Sequence, residues 1–283
     1  MLFNVMKKQE IKKIGRKLKR KPDSHKYDFG HVLVIAGSKV MPGAGVLCCL
    51  GALYSGAGLV TYALKEDFLI QACSLSKPET IFYVYKMAED ILEYVNSRKV
   101  TSIVIGPGLK TDYKFVHKII SSVNVPIILD ASGIAVFNKI SDKLRDVKSK
   151  LILTPHLGEF SKLLNISSDV VKNNRKEIVV EFASKNHLIC VLKGKNTIVA
   201  SDEKIYINNT GTPAMATAGS GDVLSGMVAA FVNIECSIFD STRFAVFVHG
   251  IAGELAEKEK CQISVVASDI AENIYKAIKQ ISH

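Results

Sequence analysis

Apolar runs recur along the chain with little polar alternation inside them. They fall at residues 31–36 (HVLVIA), 59–64, 80–85, 102–105, 126–129, 150–153 and 187–192. Their β-branched content reads as strands, and the missing alternation is what a parallel sheet covered on both faces requires. Stretches between them, such as 43–55 and 113–122, carry helical patterns. Residues 197–200 and 205–207, joined by the polar turn Ser201-Asp202-Glu203, predict an antiparallel hairpin added to that sheet. The tail reads as helical over 214–233, 240–258 and 268–281. The expected class is α/β, three-layered, with a largely parallel central sheet.

In open sheets of this kind the ligand site lies beyond the carboxyl ends of the strands. Polar and glycine-rich residues gather at those ends: Gly37-Ser38, Gly106-Pro107-Gly108, Asp130, Thr154-Pro155-His156 and Lys193-Gly194-Lys195.

Length and charge refine this picture. The 283 residues, 48% hydrophobic and 23% charged, contain no Pro/Gly/Ser-rich linker and are read as one domain, 23–283, behind a basic arm, 1–22. Residues 1–21 hold nine of the basic side chains (Lys7 and Arg20 among them) against the single acid Glu10, so the body carries only 28 basic against 26 acidic residues. The near-neutral body, with no aromatic-rich basic face, argues against a nucleic-acid partner. The arm is either a solvated tail or, since Ile11, Ile14 and Leu18 fall at helical spacing, a short helix docked on the domain. Six cysteines without CxxC spacing suit reduced thiols. The opening MLFNVMKKQE lacks the order of a signal peptide, and no apolar run has membrane-span length. A cytoplasmic protein without a membrane partner is expected.

The strongest chemical signal is Ala218-Gly219-Ser220-Gly221-Asp222 ahead of an apolar helix. Glycines there let backbone N–H groups crowd at a helix start, an anion site suited to a phosphate. Asp222 adds negative charge to that site, which makes sense if it accepts a proton from an attacking hydroxyl. The bland alternative is an acid complementing the helix dipole. No GxxxxGK[ST] is present, and Gly219, Gly221 and Gly226 do not give GxGxxG, so neither a Walker loop nor a Rossmann dinucleotide site is supported.

An ordered series of motifs then makes a family resemblance specific: DSHKYDFGHVLVIAGS from Asp23, PGAGVLCCLGALYSGAGLVT from Pro42, VIGPGL from Val104, ILDASGI from Ile128, LTPHLGEF from Leu153, VLKGKNT from Val191, the glycine-rich segment, and VHGIAGELA from Val248. The chain resembles the NAD(P)H-hydrate dehydratase family, the carbohydrate-kinase-like domain of YjeF-type repair proteins, from about 23 to 276. The resemblance implies a ribokinase-like three-layer α/β/α sandwich. It implies phosphorylation of the hydroxyl on the hydrated nicotinamide ring of NADH or NADPH, followed by loss of phosphate. Asp222 is then the catalytic residue, and Ala44, Gly108, His156 and Asp222 contact the hydrated nucleotide. ADP or ATP, with Mg2+, lies along Lys193, Gly194, Lys195, Asn196 and Thr197 and at Gly219, Ser220 and Gly221. The second domain that some relatives carry is not expected, and a stand-alone domain leans toward ADP. The metal ligands and the oligomeric state stay open, a homo-oligomer among the options.

Bland readings stand beside these. His156 is either a substrate contact or the cap of the helix that follows it. Glu159 borders the cavity or is only an acid in that helix's first turn. Lys193 and Lys195 are surface lysines if the motif is ignored. His31 and His249 are expected as satisfied core histidines. Asp130 caps its own turn or helps hold magnesium. Three positions depart from the family pattern: Ser132 where a second aspartate is usual, and Ala218 and Lys110 where glycines are usual. The nearest rival function is a small-molecule kinase of the same superfamily; a more distant one is a binding protein acting through the arm.

Overall fold

The computed structural model describes residues 6, 8–110, 112–140, 147–202 and 204–282; the expectations that touch Lys7, Glu203 and the first five residues fall outside them. Nine strands form one sheet: β1 (His31–Ile35), β2 (Leu59–Leu64), β3 (Ile81–Val84), β4 (Ser102–Ile105), β5 (Ile127–Leu129), β6 (Leu151–Leu153), β7 (Ile189–Leu192), β8 (Ile198–Ser201) and β9 (Lys204–Ile207). Their order is β3-β2-β1-β4-β5-β6-β7-β8-β9. The first seven run parallel, and β8 and β9 add an antiparallel hairpin.

Thirteen helices flank it among the described residues: α1 (Lys8–Arg16), α2 (Pro42–Tyr54), α3 (Leu69–Leu75), α4 (Ala88–Arg98), α5 (Tyr113–Ser122), α6 (Ser132–Ala135), α7 (Leu157–Leu164), α8 (Ser168–Asn173), α9 (Arg175–Lys185), α10 (Ser220–Phe231), α11 (Ile238–Glu259), α12 (Ala267–Glu272) and α13 (Ile274–Ser282). The central strands are apolar on both faces because both are covered. In β1, Val32 and Val34 join the core beneath α2, α10 and α11, while Leu33 and Ile35 join the core beneath α4, α5 and α7. The result is the three-layer sandwich expected. No helix among the described residues is long and apolar enough to cross a membrane.

Two helices differ from the sequence reading. The stretch 214–233 is not continuous: a 3₁₀ turn at Pro213–Met215 ends, Gly219 takes a left-handed φ of 89°, and α10 begins only at Ser220. The stretch 268–281 is divided at Asn273 into α12 and α13. Helix α1 packs on α13 and α11, with Ile14 buried, Ile11 and Leu18 half-buried, and Glu10 paired with Arg243 at 3.3 Å.

Helices α2 and α10 cross in close contact, which sets the position of the glycine-rich turn. Gly226 lies against the backbone of Cys48 and Ala52, and Gly51 against the carbonyl of Val223. A side chain at either position would meet backbone that cannot rotate away. Gly226→Ala should therefore cost about 1–3 kcal/mol of stability. At about 2–4 °C per kcal/mol for a chain of this size, its thermal midpoint falls by several degrees. A melting curve unchanged by the substitution would contradict the close crossing.

Candidate active site

The strand order reverses between β1 and β4, and such a switch point opens a crevice at the carboxyl ends. The ends of these strands are locked together there. Gly37 N–H donates to the carbonyl of Pro107 at 2.7 Å, and Gly106 N–H to that of Ile35 at 3.1 Å. Gly108, at φ 62°, leaves room for its neighbour: a Cβ there would sit 2.8 Å from the Cβ of Ala44 in the first turn of α2. Two of the four expected substrate contacts thus meet side by side. Leu47, one turn further along α2, lies against Gly219.

Asp222 stands in the first turn of α10, half-buried. Burial pushes its carboxyl up to about 7, the charge of Asp130 adds to this, Lys193 opposes it, and Glu159 raises it further. Lys193 directly follows β7, with its N–H bonded to the carbonyl of Pro155 at 2.8 Å. Its ammonium pairs with Asp130 at 2.8 Å and stands where a Cβ on Gly221 would come within 2.9 Å of it. Burial weakens this lysine's hold on its proton, but Asp130 and Glu159 more than offset it and keep the proton held more firmly than usual. The open start of α10 and this ammonium together form a positive pole for phosphate oxygens.

Residues 193–197 form the connection between β7 and β8. Gly194 takes φ 132° and Asn196 the left-handed φ 54°, and Thr197 Oγ1 donates to the carbonyl of Gly194 at 2.9 Å. Arg175, at the start of α9, supports this loop by donating to the carbonyl of Lys195 at 2.7 Å. Nothing in the sequence marked Arg175 for that task, since it lies 20 positions away. Lys195 is exposed.

His156 caps α7: its Nδ1 accepts from the N–H groups of Gly158 and Glu159 at 3.0 and 3.2 Å, and Glu159 returns a bond to His156 N–H at 2.9 Å. The ring is nonetheless 60% exposed, with Nε2 3.6 Å from Glu159 Oε2. Asp130 holds its own turn through Ala131 N–H at 3.0 Å as well as pairing with Lys193, and its other oxygen accepts from Ser225 Oγ at 2.8 Å. Ala131 adopts φ 47°, ψ −115°, a strained backbone for a residue with a Cβ. Ser132 donates to the carbonyl of Gly106 at 2.9 Å and so ties two strand ends together. Ala218 does not take a positive φ, and Lys110 is exposed.

The two core histidines are accounted for. His31 lies at the start of β1, away from the crevice, with its ring nitrogens against the carbonyl of Arg98 and the hydroxyl of Thr61. His249 is buried behind the glycine-rich turn, its Nε2 3.5 Å from Ser220 Oγ, and burial lowers it to about 4. A cavity of about 740 Å³, lined by Lys26, His31, Tyr83, Tyr94 and Arg98, opens at the strand starts. The turn before α10, Asp222 and Lys193 lie at the other end of the sheet. Among the described residues no group of three or more histidines, cysteines and carboxylates is gathered to hold a metal ion.

Comparison with known proteins bears on the family and the fold. A family model described as NAD(P)H-hydrate dehydratase matches residues 32–276. The ADP-dependent (S)-NAD(P)H-hydrate dehydratase of Listeria monocytogenes serovar 1/2a is 31% identical over 269 residues, 93% of each chain. A bifunctional NAD(P)H-hydrate repair enzyme of Thermofilum pendens is 32% identical over 93% of this chain but 52% of its own length, so the chain spans about half of such relatives. A crystal structure of ADP/ATP-dependent NAD(P)H-hydrate dehydratase from Bacillus subtilis, co-crystallised with ATP/Mg2+, superposes with a TM-score of 0.81 at 29% identity, covering 93% of this chain and 94% of that one. The fold is ribokinase-like, and the chain belongs to the NAD(P)H-hydrate dehydratase family.

Proposed function

We propose that this protein returns the S form of hydrated NADH and NADPH to the parent dinucleotides, with ADP or ATP as phosphate donor. The observation that carries the reading is Asp222, an acid held near pH 7 in the first turn of α10 and next to the Lys193 ammonium. A carboxylate of this kind is a stronger base than an exposed one and is still about half ionised at neutral pH. It takes the proton of the ring hydroxyl as that oxygen attacks the terminal phosphorus of the donor. The bond to the nucleotide's leaving phosphate breaks as the new one forms. The ring nitrogen's lone pair then expels the phosphate, and loss of a ring proton restores the double bond.

Lys193 and the N–H groups at Gly221 and Asp222 stabilise charge on the transferring group. Gly194, Lys195, Asn196 and Thr197, with Gly219 and Ser220, form the donor's cradle in this reading. Ala44, Gly108 and His156 border the dinucleotide. Both oxygens of Asp130 are already engaged, and among the described residues no group of three or more histidines, cysteines and carboxylates is gathered to hold a metal ion. Magnesium therefore fits only as a companion of the donor's phosphates, where it would neutralise their charge while keeping most of its waters. A cytoplasmic setting suits these substrates and the six free thiols.

The kinase alternative predicts a different product. With hydrated NADH and the donor, the dehydratase yields free phosphate and NADH in equal amounts. A stable phosphate ester accumulating without NADH would instead identify a small-molecule kinase.

A further inference from the structure

A buried polar network lies beneath the glycine-rich turn and reaches beyond the residues that touch the proposed substrates. Asp130 is 1% exposed, and its carboxylate is engaged on both sides. Oδ1 accepts from Lys193 Nζ at 2.8 Å and from Ala131 N–H at 3.0 Å; Oδ2 accepts from Ser225 Oγ at 2.8 Å. Ser225 is fully buried, one helical turn beyond Asp222 in α10, and lies 3.4 Å from the hydroxyl of Thr154. Thr154 in turn donates to the carbonyl of Leu129 at 3.3 Å. The ends of β5, β6 and β7 are thereby tied to the start of α10.

An ammonium at the Lys193 position has two carboxylates to choose between. Were it to pair with Asp222, the base would be neutralised by its own site, because an adjacent cation lowers a carboxylate's affinity for protons. Among the described residues the ammonium sits on Asp130, and no ion pair within 4 Å forms at Asp222. The hydroxyl of Ser225 fixes which way the Asp130 carboxylate faces, and so where the ammonium rests.

We propose that Asp130, held by Ser225, is a positioning residue of the reaction: it captures the Lys193 ammonium for the phosphate donor and keeps it off Asp222. This rests on the functional reading above. The groups that bear on Asp222 are Asp130 just after β5, Lys193 just after β7 and Glu159 from α7, with Cys48 from α2 and Tyr62 from β2. Burial pushes both the Cys48 thiol and the Tyr62 phenol well up, so they stay neutral and do not contribute a titration of their own near neutrality.

The test is the pH profile of kcat/KM, with hydrated NADH and saturating magnesium nucleotide, for wild type, Asp130→Asn and Ser225→Ala. Calorimetric titration of each protein with the nucleotide alone runs beside it. In Asp130→Asn the repulsion from Asp130 is gone and Lys193 is free to turn to Asp222. The acid limb should then move to lower pH by roughly one unit or more, and nucleotide affinity should fall by about tenfold. Ser225→Ala keeps every charge and should shift both readouts in the same direction by a smaller amount. If Asp130→Asn does not fold, Ser225→Ala decides alone. Variants that melt earlier but keep the wild-type acid limb and nucleotide affinity would overturn the proposal, because a purely structural network predicts that pattern. Wild type without nucleotide-dependent turnover would sink the functional reading itself, a result readily told apart from an unmoved limb in an active enzyme.

Discussion

Asp222→Asn should lower kcat/KM by about 10²- to 10⁴-fold, the range a positioned general base supplies, while the fold survives. The wild-type profile should fall on the acid side with an apparent pKa near 7, because protonation removes the base. The same titration makes an independent prediction about stability. Folded Asp222 titrates near 7, whereas an unfolded aspartate titrates near ~3.9. Between these values the folded state holds a proton that the unfolded state has released. The stabilising contribution is complete below the unfolded value and is lost as pH rises through the folded one. Above pH 7 the buried carboxylate is a burden that asparagine does not carry. Without ligand, Asp222→Asn should therefore gain on the order of 2–3 kcal/mol over wild type at pH 8, allowing for partial exposure, and little at pH 4. Denaturant melts at the two pH values check this. A variant equally destabilised at both would show that Asp222 is a structural acid.

Lys193→Gln should have the largest effect on stability. It leaves the Asp130 carboxylate, 1% exposed, with only Ser225 and its own turn for partners. Breaking one side of a buried pair typically costs about 3–5 kcal/mol, because the remaining charge stays buried. The nucleotide should also bind far more weakly, since the ammonium at the mouth of α10 is gone. The double variant Asp130→Asn/Lys193→Gln separates the two effects. With no charge left stranded, it should recover most of the lost stability but none of the nucleotide binding. Equal melting points for wild type and Lys193→Gln would show that the pair is not desolvated as described.

The sheet was readable from sequence because its strands are buried on both faces, which leaves apolar runs that helices of amphipathic pattern do not imitate. The start of α10 reads two ways: the helical apolar pattern runs on from 214, while the glycines at 219 and 221 mark a helix start. The structure follows the glycines, the chain leaving helical geometry at Ala216 and again at the left-handed Gly219. The division at Asn273 was hidden: its amide bonds back to the carbonyl of Asp269, one turn earlier, inside a continuous apolar stripe. The positive charge of the first residues was plain, but the seat of α1 on α13 depends on residues more than 250 positions away. At the site, Asp222 and Lys193 could be named from their glycine-rich surroundings. The hold of Asp130 on its own turn is among the sequence readings, but its pairing could not be named, because it is decided by an ammonium 63 positions away and a hydroxyl 95 positions away. Ser225 carried one weak signal, its place one turn after Asp222 on the same helical face.

The most direct measurement is the absorbance of reduced nicotinamide when the purified protein meets hydrated NADH, magnesium and either ADP or ATP. The account predicts a rise that requires one of the two nucleotides and disappears in Asp222→Asn. A folded protein that binds both nucleotides yet gives no rise with either would contradict it.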